Sequence, residues 1–315
     1  MLALTSSTGK LGSAVLRSLL EHKLVDPQNL ILLTSSSIDA PSLAPYKSAG
    51  TQARSINYES PTPETFAGAT SILVVSTPRI SMDFNNAPLG SGREKHHIAV
   101  INAAVAGGVK HIFYTSLAFG PHSEAGVMRA HLRTEAYLSS LREKGKVRVT
   151  VLREGLYNES WPLYLGYYDL KKDRERGEIV LGGDGKICWT SIPDLGLATA
   201  LVISDDKAGE KYDGKTMYLS SSPDGAKTLQ EIAELVGKER GAELTVKVVS
   251  REEHVRYYVE QKGMEEPSVE WWSSTYPALE KGECIIHDTT LTDLLSTKGV
   301  KPQKVEETVK EMLAA

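Results

Sequence analysis

The turn Thr5-Ser6-Ser7-Thr8-Gly9-Lys10-Leu11-Gly12 constrains the fold more than any other stretch of the chain, because it follows a short apolar run and opens a segment of helical period. A strand that passes directly into a helix through small residues leaves the first helical amides unpaired, and these amides together with the helix dipole favour a bound phosphate. Gly9 would let a pyrophosphate approach the backbone, Gly12 would allow close packing of helix on strand, and Ser6 stands where such turns carry their first glycine. A Gly-x-x-Gly spacing alone is equally compatible with an ordinary strand-to-helix turn. The βα series that follows it favours the phosphate-binding interpretation.

Up to residue 155, β-rich apolar runs alternate with helical segments. Strands are expected at Leu2–Thr5, Leu30–Thr34, Ala53–Asn57, Ile72–Ser76, His111–Ser116 and Val147–Arg153. Between them, Leu11, Val15, Leu19 and Leu20 share one helical face, as do Ile98, Ile101 and Val105, and then Leu132, Tyr137, Leu138 and Leu141. Right-handed crossovers would join these into an α/β fold with a doubly wound parallel sheet, whose ligands bind at the carboxyl tips of the strands. Those tips are Ser6–Gly12, Thr34–Ser37, Ser76–Arg79, Thr115–Gly120 and Glu154–Asn158. Beyond Arg153 the pattern loosens into aromatic clusters, a glycine turn at Leu181–Gly185, an apolar helix at Leu195–Val202, and capping boxes at Thr228/Glu231 and Ser250/Glu253. The division expected is residues 1–155 as the dinucleotide domain and 156–315 as a smaller α+β lobe, with segments returning to the first sheet.

Composition narrows the partners. Lys plus Arg number 36 against 40 Asp plus Glu, so a net charge of −4 offers no general attraction to nucleic acid or anionic lipid. No apolar run approaches membrane-spanning length, and the N-terminal residues lack the basic region of a signal peptide, so a cytoplasmic protein is expected. The cysteines Cys188 and Cys284 have neither metal-ligand nor redox-motif spacing, and no histidine–carboxylate cluster or Gly-x-Ser-x-Gly elbow is present. The second strand ends in Thr34-Ser35-Ser36-Ser37, with no acid to grip a ribose 2′-hydroxyl. Hydroxyls there, with Lys10 nearby, suit a 2′-phosphate, so NADPH is the expected cofactor; the alternative is that Ser35–Ser37 simply solvate a loop.

Several ordered motifs carry a family resemblance. Thr8-Gly9-x-Leu11-Gly12, His111-Ile112-Phe113-Tyr114-Thr115-Ser116-Leu117, His131-x-x-Thr134-Glu135 and Leu152-Arg153-Glu154-Gly155-Leu156-Tyr157-Asn158-Glu159 together resemble the NmrA-like group of atypical short-chain dehydrogenases/reductases, and within it the NADPH-dependent quinone oxidoreductase type. The resemblance implies a Rossmann-like domain that binds NADPH and a lobe that closes a pocket over the nicotinamide. It also implies a split between working reductases and members that bind the dinucleotide as sensors.

Cofactor contacts are expected from Ser6, Thr8, Gly9, Lys10, Leu11, Gly12, Thr34, Ser35, Ser76, Thr77, Pro78, Thr115, Gly155 and Leu156. Ser116 follows the fifth strand, where short-chain reductases place a catalytic serine, and Tyr157 follows the sixth. The usual Tyr-x-x-x-Lys pair is absent from the intervening helix, where Ala136 follows Glu135; Tyr168-x-x-x-Lys172 lies too late in the chain and is read as coincidence. His131 and Glu135, four apart, would share a helical face on which the carboxylate could support a protonated imidazole. Arg79 is a candidate anion contact. Trp161, Tyr164, Tyr167 and Tyr168, with Trp271, Trp272 and Tyr276, would suit walls for a flat acceptor or else form the lobe's own core. The expected activity is therefore hydride transfer from NADPH to a quinone, enone or aromatic ketone. The rivals are a sensor without turnover and a cofactor-bound isomerase, dehydratase or cyclase.

Overall fold

The computed structural model describes all 315 residues. In the first half the elements are β1 (Leu2–Leu4), α1 (Lys10–Glu21), β2 (Leu30–Thr34), α2 (Ala44–Ser48), β3 (Gln52–Ser55), β4 (Ser71–Val74), α3 (Glu94–Ala106), β5 (His111–Leu117), α4 (Gly126–Glu143) and β6 (Arg148–Glu154). The second half contributes α5 (Trp161–Tyr164), β7 (Glu178–Leu181), α6 (Ile192–Ile203), α7 (Ala208–Lys211), β8 (Thr216–Leu219), α8 (Leu229–Arg240), β9 (Thr245–Val248), α9 (Arg251–Arg256), α10 (Glu266–Ser273), α11 (Thr275–Glu280), α12 (Thr290–Ser296) and α13 (Val305–Ala314).

β1, β2 and the inner part of β4 read as continuous aliphatic runs because both of their faces are covered. The main sheet has seven strands in the order β3-β2-β1-β4-β5-β6-β8, and every pairing is parallel. The strand order reverses between β1 and β4, which makes this a Rossmann-like doubly wound sheet with its switch point beside the glycine turn. The connection from β3 to β4 carries only the 3-10 turn Pro63–Phe66, whose fully buried Phe66 takes the place of a covering helix.

Each sheet face has its own core. Aliphatic side chains of α1, α6 and α12 cover one face, among them Leu11, Val15, Leu195, Val202 and Leu291. Residues of α3 and α4, including Ile101, Ala104 and Leu138, cover the other. Close contact between α1 and α6 depends on Gly196, where a Cβ would stand 2.7 Å from the Cβ of Ala14. β7 and β9 form a separate two-stranded parallel sheet in the lobe. Both expected capping boxes form, at Thr228/Glu231 and at Ser250/Glu253.

The lobe's aromatics are mainly its interior. Trp161, Tyr164, Tyr168, Trp271, Trp272 and Tyr276 belong to one buried cluster, with Trp161 and Tyr276 wholly inaccessible. The reading of these residues as substrate walls is therefore corrected for those two, because a ring enclosed by its own lobe has no face to offer a ligand. Half-buried Tyr167 instead meets Tyr258 edge-on. No helix is long and apolar enough to cross a membrane.

Candidate functional site

All the main-sheet strands end on the same edge, and hydroxyl groups tie their tips together. The Thr5 side chain donates to Leu73 O and accepts from the Val75 amide at 2.8 Å, linking β1 to β4. Thr115 accepts from the Ser76 amide, linking β4 to β5. Thr34 accepts from the Ser36 amide and lies 3.3 Å from the Thr8 hydroxyl, joining the end of β2 to the glycine turn. Thr34 and Thr115 are consequently buried, and their hydroxyls are engaged within the fold.

Ser6 has φ of +52°, the left-handed conformation that glycine normally supplies at this place. Its hydroxyl lies 3.1 Å from Tyr58 OH. A Cβ on Gly12 would stand 2.1 Å from Ser6 O, so only glycine fits where α1 starts against the strand. Gly9 is the N-cap of α1 and offers no side-chain cap, leaving the first helical amides for solvent or an anion. Thr8, Gly9 and Lys10 are exposed above this end, and the positive charge of Lys10 is felt by Glu159 past β6. An open, uncapped turn with a cation over it and no acid at the β2 tip fits a dinucleotide phosphate. Ser35 is exposed beside it, Ser76 half-buried, Thr77 buried, Pro78 exposed, and Leu11, Gly155 and Leu156 buried.

Each of the three chemical candidates is engaged with a different partner. Ser116 is inaccessible and donates at 2.5 Å to Glu135 Oε1. Glu135 is also held by Arg153 through Nε at 3.2 Å and Nη2 at 2.7 Å. This overturns the expected His131–Glu135 pairing, since the charged partner available to the carboxylate is the strand arginine. His131 instead places Nδ1 3.0 Å from Tyr114 OH. The Thr77 amide donates to His97 Nε2 at 3.1 Å, and His97 Nδ1 lies 2.9 Å from the Thr134 hydroxyl, which donates to Ala130 O. That pattern assigns a neutral His97 with its proton on Nδ1. Burial holds His97 and His131 well below the ordinary imidazole range, so the protonated imidazole expected at His131 is corrected as well.

Tyr157 is half-buried at the tip of β6, bridged to Thr190, and donates at 2.7 Å to Glu154 Oε2. Glu154 is 1% exposed, its Oε1 has no partner, and burial pushes its carboxyl up to about 8. Arg79 forms an exposed ion pair with Glu59. Tyr168 is buried while Lys172 is exposed and paired with Asp169 at 3.7 Å, so their spacing does not make a catalytic pair. Sequence reasoning placed Tyr114, Arg153 and Glu154 within motifs without assigning them a role, and gave none to His97 or Tyr58. The signal for Glu154 was an acid directly ending an apolar strand; the histidine partners come from separate elements and left no local pattern.

No protein-family model matches the chain. An NmrA-like family domain-containing oxidoreductase of Aspergillus flavus is 27% identical over 307 residues, 95% of this chain and 92% of that protein. Quinone oxidoreductase 2 of Escherichia coli is 32% identical over 253 residues, 79% of this chain and 78% of that protein. The crystal structure of the Escherichia coli NADPH-dependent quinone oxidoreductase complexed with NADPH aligns with a TM-score of 0.79 at 26% identity, covering 99% of both chains. Citrobacter sp. triphenylmethane reductase complexed with NADP(H) aligns at 0.77 and 26% identity, again over 99% of both. With sequence similarity to these oxidoreductases running through most of its length and a matching fold beneath it, the chain belongs to the NmrA-like family of oxidoreductases.

Proposed function

We propose that the protein is an NADPH-dependent reductase of a conjugated or aromatic carbonyl compound, a quinone above all. The observation that carries this reading is the uncapped turn Ser6–Gly12 beside an acid-free, hydroxyl-lined β2 tip. The relatives that act on quinones and triphenylmethane dyes and bind NADPH support it. When bound, the reduced nicotinamide supplies a hydride. The chain's own part is to hold the pyrophosphate at the first amides of α1, to accommodate a 2′-phosphate near Ser35 and Lys10, and to present the Tyr157 hydroxyl at the tip of β6. Ser116, tied to Glu135 and Arg153, stiffens the junction of β5, β6 and α4 and does not polarise substrate in this arrangement.

Fluorescence titration with NADPH and NADH, followed by stoichiometric NADPH consumption over a quinone panel, tests the proposal. Tighter NADPH binding with matched quinone reduction supports it; tighter NADH binding defeats the cofactor assignment. The locked Ser116 and the missing Tyr-x-x-x-Lys pair favour a second reading, a sensor that binds the dinucleotide without turnover. NADPH binding without consumption across the panel would select it.

A further inference from the structure

Glu154 ends β6 on the sheet face opposite to its neighbour Arg153, whose guanidinium is engaged with Glu135. A carboxylate removed from water needs a cation or several amide donors. Glu154 has neither: Tyr157 OH satisfies Oε2, and Oε1 is buried without a partner. The charged groups on the surrounding elements act elsewhere, because Lys10 of α1 and Asp194 of α6 act on Glu159, and Tyr164 of α5 acts on Tyr157. Only burial and the Tyr157 hydroxyl move its titration, with burial dominant, so the group is held as the neutral acid at pH 7. Tyr157 is the half-buried member of the pair at the tip of β6, and Glu154 the inaccessible one behind it.

We propose that Glu154 is the proton reserve of the site, feeding the Tyr157 hydroxyl, which protonates the oxygen of the carbonyl acceptor. The proposal rests on the reductase reading above. As a hydride reaches the acceptor, the C=O π bond opens and the substrate oxygen takes the hydroxyl proton of Tyr157. With its own proton turned to the substrate, the Tyr157 oxygen accepts the carboxyl proton of neutral Glu154 across the same 2.7 Å contact, the reverse of the direction in the resting structure, and the carboxylate regains one proton through Tyr157 after the product leaves. Hydride plus one proton converts a ketone to an alcohol or a quinone to a hydroquinone, which balances atoms and electrons. Glu154 acts through Tyr157 and is thus a positioning and relay residue.

Two acceptors separate this role from general support of the fold. A quinone needs a hydride and a proton, whereas a cationic triphenylmethane dye is neutralised by the hydride alone. Glu154→Gln keeps the volume and an acceptor for Tyr157 but carries no exchangeable acid. It should slow quinone turnover by about 100-fold, the scale of lost acid–base assistance, and raise the dye-to-quinone rate ratio at least about tenfold. Wild-type quinone turnover should fall as pH rises through about 8, and this inflection should vanish in the variant. In cofactor-free protein, wild type should lose thermal stability relative to E154Q as pH rises from about 4.5 to about 8. Tyr157→Phe should shift the rate ratio in the same direction, which covers the case of an E154Q protein that fails to fold. An unchanged ratio, or an inflection near pH 8 that persists in E154Q, overturns the relay. A wild-type protein that oxidises no NADPH with either acceptor overturns the reductase reading and the relay with it, while the stability titration still reports whether Glu154 is a neutral acid.

Discussion

A methyl group at Gly12 would meet the backbone oxygen of Ser6 at 2.1 Å, and a backbone obstacle cannot rotate away. Gly12→Ala should therefore cost about 1–3 kcal/mol of stability and weaken NADPH binding at least about tenfold, read by denaturant unfolding and fluorescence titration. Unchanged affinity in the folded variant would remove this turn from the binding site. Cofactor choice belongs to the next strand tip. Because Thr34 is buried and its hydroxyl is already bonded, Thr34→Asp would disturb the fold, and the informative change is at exposed Ser35. Ser35→Asp should lower the ratio of NADH to NADPH dissociation constants by at least about tenfold, by repelling a 2′-phosphate and accepting from a ribose hydroxyl. A ratio that does not move would place the 2′-phosphate elsewhere. The glycine spacing was legible in the sequence at this scale, but the left-handed backbone of Ser6 was not, since serine adopts it at a cost of roughly 1–2 kcal/mol and does so here beside a tertiary partner, Tyr58.

Helix α1 carries the turn, and its orientation is fixed by the helix packed against it. Gly196 of α6 sits on Ala14 so closely that a Cβ would also approach the Ala14 carbonyl carbon to 2.8 Å. Gly196→Val should force the helices apart, destabilise the protein by about 1–3 kcal/mol, and weaken NADPH binding although the residue lies outside the site. Chemical denaturation and cofactor titration check both effects, and full affinity with lowered stability would show that α1 tolerates the shift. Elements of this kind differ in how much the sequence reveals. β2 was readable from its aliphatic run, β5 from its aromatic and β-branched residues, both to within a residue, and α6 from its nearly continuous apolar stretch after Pro193 and Asp194. β8 was not, because Thr216–Leu219 is a short edge strand whose identity comes from pairing with β6 rather than from its own composition. The Ser116–Glu135–Arg153 lock was likewise hidden, as it joins β5, α4 and β6 through side chains that no local spacing relates.

Burial of titratable groups gives the whole molecule a pH profile of stability with two differently caused limbs. His97 and His131 are held well below the ordinary value, and His111 and His254 are lowered to about 4, all four mainly by desolvation. For a group whose folded pKa is depressed, the stabilising contribution is complete above its unfolded value of about 6.5 and is lost as pH falls toward the folded value. His111 and His254 are then each expected to contribute on the order of 1–3 kcal/mol that disappears under acid, and His97 and His131 act in the same direction. Glu154 runs the other way: its folded value near 8 lies above the ordinary 4.5, so its contribution is complete below about 4.5 and is lost as pH rises through 8. Half-buried Glu159 and buried Asp194 are raised as well and act in the same sense as Glu154. Four histidines outweigh these carboxyls below pH 6.5, and the carboxyls act unopposed above it, so the thermal midpoint should peak near pH 6–7 and decline on both sides. Calorimetry of the cofactor-free protein between pH 5 and 9 measures this. Glu154→Gln should flatten the alkaline limb and leave the acid limb in place, because the histidines sit around other elements. A midpoint that climbs steadily to pH 9 in the wild-type protein would mean that Glu154 is already ionised in the folded state, and that the carboxyl behind Tyr157 holds no proton to give.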